Sequence, residues 1–358
     1  MNTASATTPL GRPTSVTVAV RDAAWLAHRY DPEADAIHFL PVSRAEHGGA
    51  TFLIDDHLPQ GPEPLVVHRS DAMASAPRPA PIHFILHSAF CCSTMLARVF
   101  DRPGWAMGLK EPVILNDIVG WRRRGGRGPD MAAVLNDALS LLARPFGPGE
   151  AVVVKPSNVV NGLSAAMLTL RPNAGAVLLH APLRTYLGSI AKKGLDGRLW
   201  VRTLLLGLLE DKLVDLGFTT RDHLGQTDLQ VAAVGWLAQQ ALFQQLVERF
   251  GKGRVRTLDS ETLTADPAGV TARLATLFGM PLDARALEEI VTGPAFTYHS
   301  KLGAAFDAGE RGREHRDAAE MHADEIEKVA VWAERVAEAA GIALELPAKL
   351  VDATAPRL

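Results

Sequence analysis

The chain has 358 residues, of which 47% are hydrophobic and 22% are charged, and its formal net charge is −3. These values are typical of a folded globular protein and exclude a long disordered or fibrous chain. Broad electrostatic binding to nucleic acid or to an anionic membrane requires a concentrated basic surface. We therefore expect no nucleic-acid partner.

The N-terminal region divides into three parts. Residues 1–15 are rich in Thr, Ser, Ala and Pro and lack the apolar segment of a secretory signal, so they predict a disordered tail on a cytoplasmic protein. Residues 36–40 and 51–54 have the composition of strands and are separated by a turn at residues 46–49. They predict a small β appendage within residues 16–80, which ends in a proline-rich linker at residues 70–81.

A strand, a short loop and a helix follow one another after this linker. Residues 82–86 are apolar except for His83 and predict a buried strand, residues 88–94 form a turn, and residues 95–100 carry one apolar face of a helix. Such a loop receives backbone N–H groups and the positive end of the helix dipole. Ser93 and Thr94 add hydroxyl donors, so the pattern predicts a phosphate or sulfate site. The alternative is a strand, turn and helix without a ligand.

The loop departs from the Walker A pattern Gly-x-x-x-x-Gly-Lys-[Ser/Thr] of nucleotide hydrolases. The positions that correspond to the two glycines, the lysine and the last residue are His87, Cys92, Ser93 and Thr94. The lysine neutralises the β- and γ-phosphates, so its absence argues against ordinary nucleoside triphosphate chemistry. The only cysteines, Cys91 and Cys92, are adjacent, which excludes a disulfide framework. They are either redox-sensitive thiols or small side chains that admit a ligand.

The rest of the chain alternates strand-like and helical patterns. Strand-like runs lie at residues 151–154, 176–179 and 254–258, and helical patterns lie at residues 131–143, 200–215, 228–250, 268–278 and 317–340. This alternation predicts an α/β fold with a mostly parallel sheet. Ligands bind beyond the carboxyl ends of parallel strands. The residues that follow the strand-like runs are therefore expected to converge on the loop. The longest uncharged stretch contains five glutamines, so we expect no membrane span.

Several segments together resemble a known enzyme family. The segment HSAFCCSTMLARVF at residues 87–100 resembles the phosphosulfate loop of bacterial sulfotransferases, in which Ser or Thr replaces the Walker lysine. The segments LKEP at 109–112, VKPSN at 154–158, LLHAPLRTYLGSIAKKG at 178–194 and YHSKLG at 298–303 follow in the order of that family. The resemblance implies a three-layer sandwich of the P-loop NTPase type over residues 81–358, with a central mostly parallel sheet flanked by helices.

The resemblance also implies an activity. It implies a metal-free transfer of a sulfuryl group from 3′-phosphoadenosine-5′-phosphosulfate to a hydroxyl or amine of a small-molecule, lipid or saccharide acceptor. Arg184, Ser189 and Lys301 are implied to bind the 3′-phosphate of this donor. The remaining donor-binding residues that it implies are Ser88, Ala89, Phe90, Cys91, Cys92, Ser93, Thr94 and Lys155.

The catalytic residues are expected at the ends of the predicted strands. Many sulfotransferases carry a basic residue where this chain has Phe90, so the missing positive charge is expected from Lys110, Lys155 or Arg184. Lys110 is the candidate that stabilises the leaving oxygen. Glu111 or His87 is the candidate base. The structural alternatives are an ion pair for Glu111 and a hydrogen-bonded core position for His87.

Two other functions fit the same loop. A nucleotide-dependent kinase with a degenerate Walker loop requires a metal-binding carboxylate, for which the candidates are Asp117, Asp259 and Glu261. A non-catalytic nucleotide-binding protein requires the loop alone. Dependence on magnesium separates the kinase from the sulfotransferase, and turnover separates both enzymes from the binding protein.

Overall fold

The computed structural model describes residues 15–61, 63–297 and 322–351, and it contains two β-sheets. The first sheet has three antiparallel strands in the order β1–β2–β3, and the second has five parallel strands in the order β5–β6–β4–β7–β8. The strands are β1 (Trp25–Asp31), β2 (Ala36–Pro41), β3 (Leu65–His68), β4 (Ile82–His87), β5 (Ala106–Lys110), β6 (Ala151–Lys155), β7 (Ala176–His180) and β8 (Val255–Asp259). The predicted α/β class, with a parallel central sheet, is confirmed.

Helices connect the strands of the large sheet and flank the small one. In the described part of the chain they are α1 (Val16–Arg21), α2 (Arg44–Gly49), α3 (Arg69–Ser75), α4 (Ser93–Val99), α5 (Ile114–Arg123), α6 (Gly128–Leu142), α7 (Ser164–Leu170), α8 (Leu183–Lys192), α9 (Gly194–Glu210), α10 (Thr220–Gly225), α11 (Asp228–Phe250), α12 (Ser260–Ala265), α13 (Pro267–Leu277), α14 (Ala284–Val291), α15 (Pro294–Thr297) and α16 (Ala323–Ala340). Short 3₁₀ helices lie at Asp55–His57 and Asn158–Leu163. None of these helices is long and apolar enough to cross a membrane.

Both faces of the large sheet are covered. Every residue of β4 is buried, as expected for a central parallel strand. Phe84 and Leu86 belong to a hydrophobic cluster with helices α5 and α6, whereas Ile85 belongs to a second cluster with helices α4, α8 and α11. Because successive side chains of a strand point to opposite faces, the sheet is the middle of three layers.

The order of the strands locates a crevice for a ligand. From β4 the chain runs to the edge strand β5 and returns to β6 beside β4, and it then crosses to β7 on the other side of β4. The strand order therefore reverses between β4 and β7. In open parallel sheets, ligands bind beyond the carboxyl ends of the strands at such a reversal. This is where the loop between β4 and α4 lies.

The small sheet differs from the prediction in its third strand. The predicted strand at residues 51–54 is wrong, because β3 provides the partner of β2, with Ala36 opposite His68. The segment around Leu53 instead contacts the end of β5. Leu53 N–H donates to Lys110 C=O at 2.7 Å, and Val113 N–H donates to Leu53 C=O at 3.2 Å. The segment between β2 and β3 of the small sheet therefore contacts β5 at the edge of the large sheet.

The predicted turn at residues 46–49 is also wrong, because these residues lie in helix α2. A capping box begins this helix: Ser43 Oγ accepts a hydrogen bond from Glu46 N–H, and the Glu46 carboxylate accepts one from Ser43 N–H. The predicted linker likewise begins with helix α3.

The small sheet and the large sheet share one hydrophobic cluster. It includes Phe39 of β2, Phe84 of β4 and Leu139 of α6. The buried guanidinium of Arg144 joins the two parts, because it donates to the carbonyl groups of Val20 at 2.6 Å and of Trp25 at 2.7 Å. The predicted division at residues 15 and 80 stays a prediction.

Candidate active site

The loop between β4 and α4, residues 88–92, has an unusual backbone. Ala89, Phe90 and Cys92 have φ angles of 71°, 51° and 63°, which lie in the left-handed region that favours glycine. Glu111, which follows β5, has a φ of 54°. These are four of the seven non-glycine residues with positive φ in the described part of the chain. Such strained residues cluster at functional sites, and here they lie at the carboxyl edge of the large sheet.

Hydrogen bonds hold this β4–α4 loop on strand β7. Ser88 N–H donates to Leu179 C=O at 3.1 Å, and the Cys91 thiol donates to the same oxygen at 3.4 Å. Leu96 N–H donates to Cys92 C=O at 3.1 Å as α4 begins. The amides of the first turn before Leu96 have no partner within the helix. A left-handed residue followed by helical residues, as at Cys92 and Ser93, is typical of backbone that binds an anion.

The loop also places hydroxyl groups beside this backbone. Ser93 and Thr94 lie buried in the first turn of α4. Ser88 is fully buried, and its Oγ has no hydrogen-bond partner among the described residues. A buried hydroxyl without a partner is costly, so this position is one at which a ligand or water completes the bonding.

The imidazole of His87 is held on both sides. Its Nδ1 accepts a hydrogen bond from Ala89 N–H at 3.1 Å, and its Nε2 donates to Pro156 C=O at 3.1 Å. These two contacts select the neutral tautomer with the proton on Nε2. His87 thus occupies a buried, hydrogen-bonded position, as in the structural alternative for this residue.

An ion pair lies beside His87 at the ends of β5 and β6. Lys155 Nζ contacts Glu111 Oε1, and Glu111 N–H donates to Lys155 C=O at 2.6 Å. The side chain of Lys155 is 1% exposed and that of Glu111 is 18% exposed. Glu111 Oε1 is 3.9 Å from His87 Nε2. The structure thus brings three predicted site residues together, and the Glu111 carboxylate, paired with Lys155, is partly exposed.

The structure corrects the prediction for Lys110. Its ammonium is fully buried beneath α2, where it donates to the carbonyl groups of His47 at 2.7 Å and Gly48 at 3.0 Å. Asp101 Oδ2 lies 3.8 Å away. Burial lowers the pKa of Lys110 to about 8. An enclosed ammonium with these partners does not reach a leaving oxygen in the loop.

The residues predicted for the 3′-phosphate lie on α8 and beyond. Arg184 forms a bidentate ion pair with Glu327, at 2.8 Å for both bonds, and contacts Glu334 Oε1 at 2.7 Å. These carboxylates of α16 raise the pKa of Arg184. The hydroxyl of Ser189 donates to Thr185 C=O at 2.9 Å. Lys301, the last of the predicted residues, lies outside the described residues.

An aromatic cluster, which the sequence patterns do not predict, surrounds Phe90. The ring of Phe90 makes edge contacts with Trp200 of α9 at 5.2 Å and with Tyr186 of α8 at 6.0 Å between ring centroids. Lys193 Nζ lies 5.8 Å from the centroid of the same ring. Tyr186 and Lys193 fall within the segment that resembles sulfotransferases, but nothing in their spacing indicates contact with Phe90.

The N-terminal region also contributes to the site. The ring of Phe52 lies 5.0 Å from Lys155 Nζ and 5.4 Å from the ring of His57. His57 is exposed. The carboxylate of neighbouring Asp55 is hydrogen-bonded to His28, with 2.7 Å between Oδ1 and Nε2. The N-terminal segment therefore forms a wall beside the Lys155–Glu111 pair. The strand-like composition of residues 51–54 does not predict this contact between Phe52 and Lys155.

The surroundings of Cys91 distinguish between the two interpretations of the cysteines. Cys91 is fully buried, and burial raises the pKa of its thiol to about 11. The buried thiol is therefore not a reactive thiolate, which argues against the redox alternative for Cys91. Its contact with β7 supports the second interpretation, in which a small side chain shapes the loop.

The three carboxylates considered for a kinase each have a structural contact. Asp117 binds Arg29 through two hydrogen bonds at 2.8 and 2.9 Å. Asp259 caps helix α12, and Glu261 accepts a hydrogen bond from Thr185 Oγ1 at 2.8 Å. Within residues 15–61, 63–297 and 322–351, no group of three or more His, Cys, Asp or Glu side chains has an arrangement that would hold a metal ion.

No protein family model and no curated protein matches the sequence. Three similar solved structures are sulfotransferases. The sulfotransferase domain from the curacin biosynthetic pathway is 17% identical with a TM-score of 0.41, over 76% of this chain and 100% of that chain. STF9 from Mycobacterium avium is 13% identical with a TM-score of 0.42, over 70% and 79%. STF1 from Mycobacterium tuberculosis H37Rv is 14% identical with a TM-score of 0.37, over 64% and 76%. At these values the function proposed for this chain rests on the geometry of its own site.

Proposed function

We propose that this chain is a cytoplasmic sulfotransferase that moves a sulfuryl group from 3′-phosphoadenosine-5′-phosphosulfate to a hydroxyl or amine of a small-molecule, lipid or saccharide acceptor. The observation that carries the proposal is the pair of Lys155 and Glu111 beside the β4–α4 loop. It places a partly exposed carboxylate, held by a buried ammonium, beside a loop that suits an anion, at one edge of the sheet. In-line transfer of a charged group to an O–H or N–H acceptor requires a base for the acceptor and donors that hold the charged group.

The loop residues fit the phosphosulfate end of this donor. The first-turn amides of α4, with the hydroxyl groups of Ser93 and Thr94, provide donors for anionic oxygens. The unpartnered hydroxyl of Ser88 is consistent with a further contact. We retain Arg184, Ser189 and Lys301 as candidates for the 3′-phosphate. In this assignment the ion pairs of Arg184 with Glu327 and Glu334 break when Arg184 binds the 3′-phosphate.

Glu111 is the proposed base. The oxygen or nitrogen of the acceptor forms a bond to sulfur, while the bond between sulfur and the 5′-phosphate oxygen of the donor breaks. The carboxylate of Glu111 takes the proton from the acceptor, and Lys155 holds that carboxylate in place. The leaving product is adenosine 3′,5′-bisphosphate.

Thermal stabilisation by adenosine 3′,5′-bisphosphate tests the donor assignment, since a ligand that binds the native state raises the melting temperature. We expect a shift that is independent of magnesium and is lost in Thr94→Ala. The control Thr276→Ala changes an exposed threonine of α13 and should retain the shift. A shift with magnesium and ATP alone would support the kinase instead.

Turnover with radiolabelled donor and a panel of phenols, amines, sugars and lipids tests the catalytic assignment. Glu111→Gln should lower the rate by about 10²- to 10⁴-fold, as expected when a base is removed, and should still bind the bisphosphate. Glu248→Gln, which changes an exposed glutamate of α11, is the matched control. Binding without transfer to any class of acceptor would favour the non-catalytic alternative.

A further inference from the structure

The described part of the site has a shortage of positive charge at the loop. Transfer of a sulfuryl group places negative charge on the transferring group, which an active site stabilises with cations. The loop itself, residues 88–92, contains no basic side chain. Lys110 is enclosed beneath α2, and Arg184 is held by carboxylates of α16. Lys155 is already paired with Glu111.

Lys193 lies at the loop and is accessible. Its Nζ is 5.8 Å from the centroid of the Phe90 ring, and its side chain is exposed. It forms no ion pair with a carboxylate of the described residues, in contrast to Arg184 and Lys155. Its ammonium is therefore available to an anion on the loop.

Two glycines fix the turn that carries Lys193. Gly194, with a φ of 57°, directly follows it and allows the chain to pass from α8 into α9. At Gly197, a Cβ atom would lie 2.7 Å from Ile190 O and 2.8 Å from Lys193 Cβ. Only glycine permits this close approach, so the turn is packed tightly against the end of α8.

The surroundings of Phe90 favour a cation at this position. The rings of Phe90, Tyr186 and Trp200 form an apolar surface, and such a surface weakens the screening of a nearby charge by water. The aromatic ring also attracts an ammonium group. We propose that Lys193 binds the sulfuryl group of the donor and supplies the positive charge that the β4–α4 loop lacks. This inference rests on the proposed function.

The affinities of the full chain for the donor and for adenosine 3′,5′-bisphosphate, measured by titration calorimetry, test the inference. Lys193→Ala should weaken donor binding by about ten- to hundredfold, the value of a hydrogen bond between charged groups. It should change bisphosphate binding much less, because that ligand lacks the sulfuryl group. The control Lys252→Ala removes the same charge from an exposed position before β8 and should leave both affinities unchanged.

Two further variants separate the loss of charge from damage to the fold. Lys193→Arg should retain donor affinity. Phe90→Lys, combined with Lys193→Ala, should restore it by placing the cation on the loop itself. Equal donor affinities for Lys193→Ala and Lys252→Ala would overturn the inference while the proposed function stands. If the unmodified chain binds neither ligand, the proposed function fails and the inference fails with it.

Discussion

At the scale of single residues, the left-handed conformation of Ala89 has a measurable cost. A side chain in this region costs about 1 kcal/mol relative to glycine, although glycine also loses more entropy on folding. Ala89→Gly should therefore change the free energy of unfolding by between zero and about 1 kcal/mol in the stabilising direction. Urea denaturation measures this change.

A helical alanine provides the control for Ala89. Ala166 is exposed within α7, and Ala166→Gly should lower the free energy of unfolding by about 0.5–1 kcal/mol. The two substitutions are chemically identical but have opposite expected signs. Equal destabilisation by both would show that Ala89 is not strained.

The buried ammonium of Lys110 gives the chain a pH-dependent stability. Its pKa is lowered to about 8, whereas an unfolded lysine has a pKa of about 10.4. Between these values the unfolded chain binds more protons, so the free energy of unfolding rises with pH, by about 3 kcal/mol over the whole window. Lys110→Met removes this contribution. Urea denaturation from about pH 8 to about pH 10 should give a steeper rise for the unmodified chain. Parallel profiles would contradict the assignment.

The residues of the loop could be located from the sequence, but their roles could not. Strand, turn and helix patterns indicated the loop, although the two Walker glycines are missing. Ala89, Phe90 and Cys92 nevertheless adopt backbone angles that favour glycine, because the surrounding strands hold them there. The direction of a side chain is set by tertiary packing. The position of Lys110 at the end of a strand therefore predicts a site residue, but its side chain is enclosed beneath α2.

At the scale of elements, strong periodicity predicted the long helices and the buried strands. Helix α11 has the predicted bounds, whereas α9 begins six residues before the predicted position, at Gly194. In the N-terminal region the wrong predictions concern short elements. Residues 51–54 have strand-like composition, but their hydrogen bonds go to the end of β5. Tertiary contacts thus overrode a weak local preference.

The ion pairs between α8 and α16 should compete with the donor. Arg184 is 48% exposed and binds both Glu327 and Glu334, so solvent screens both pairs and they contribute little to stability. If Arg184 binds the 3′-phosphate, removal of these carboxylates should raise the affinity for adenosine 3′,5′-bisphosphate by about two- to tenfold. Titration calorimetry on the double variant Glu327→Gln and Glu334→Gln measures this increase.

Another acidic residue of α16 provides the control for this competition. Asp324 is exposed and, among the residues that the structure describes, pairs with Lys328 on the same helix, at 2.7 Å. Asp324→Asn removes a negative charge from α16 without freeing Arg184, so it should leave the affinity nearly unchanged. An equal increase in both variants would indicate a general effect of charge and would remove Arg184 from the proposed 3′-phosphate site.

At the scale of the whole molecule, the convergence of the site follows from the parallel sheet. The carboxyl ends of β4, β5 and β6 meet at one edge, and this rule correctly grouped His87, Glu111 and Lys155. No comparable rule predicts the contact between Phe52 and Lys155. It depends on how the small sheet packs on the large one, which local sequence patterns do not encode.

Because the two sheets share one hydrophobic cluster, the chain should unfold in a single cooperative transition. Arg144 is the test of this coupling. Its side chain is buried, and it donates to the carbonyl groups of Val20 and Trp25. Arg144→Met leaves these buried carbonyls without their donor, so it should lower the free energy of unfolding by about 3 kcal/mol or more.

Differential scanning calorimetry measures both the number of transitions and their shift. Arg144→Met should lower the melting temperature of the whole transition, and the calorimetric and van 't Hoff enthalpies should remain equal. The control Arg335→Met changes an exposed arginine of α16 and should have an effect below about 0.5 kcal/mol. Two transitions, of which Arg144→Met shifts only the first, would mean that the small sheet unfolds separately. Phe52 would then leave Lys155 before the large sheet unfolds, and the active site would be lost first.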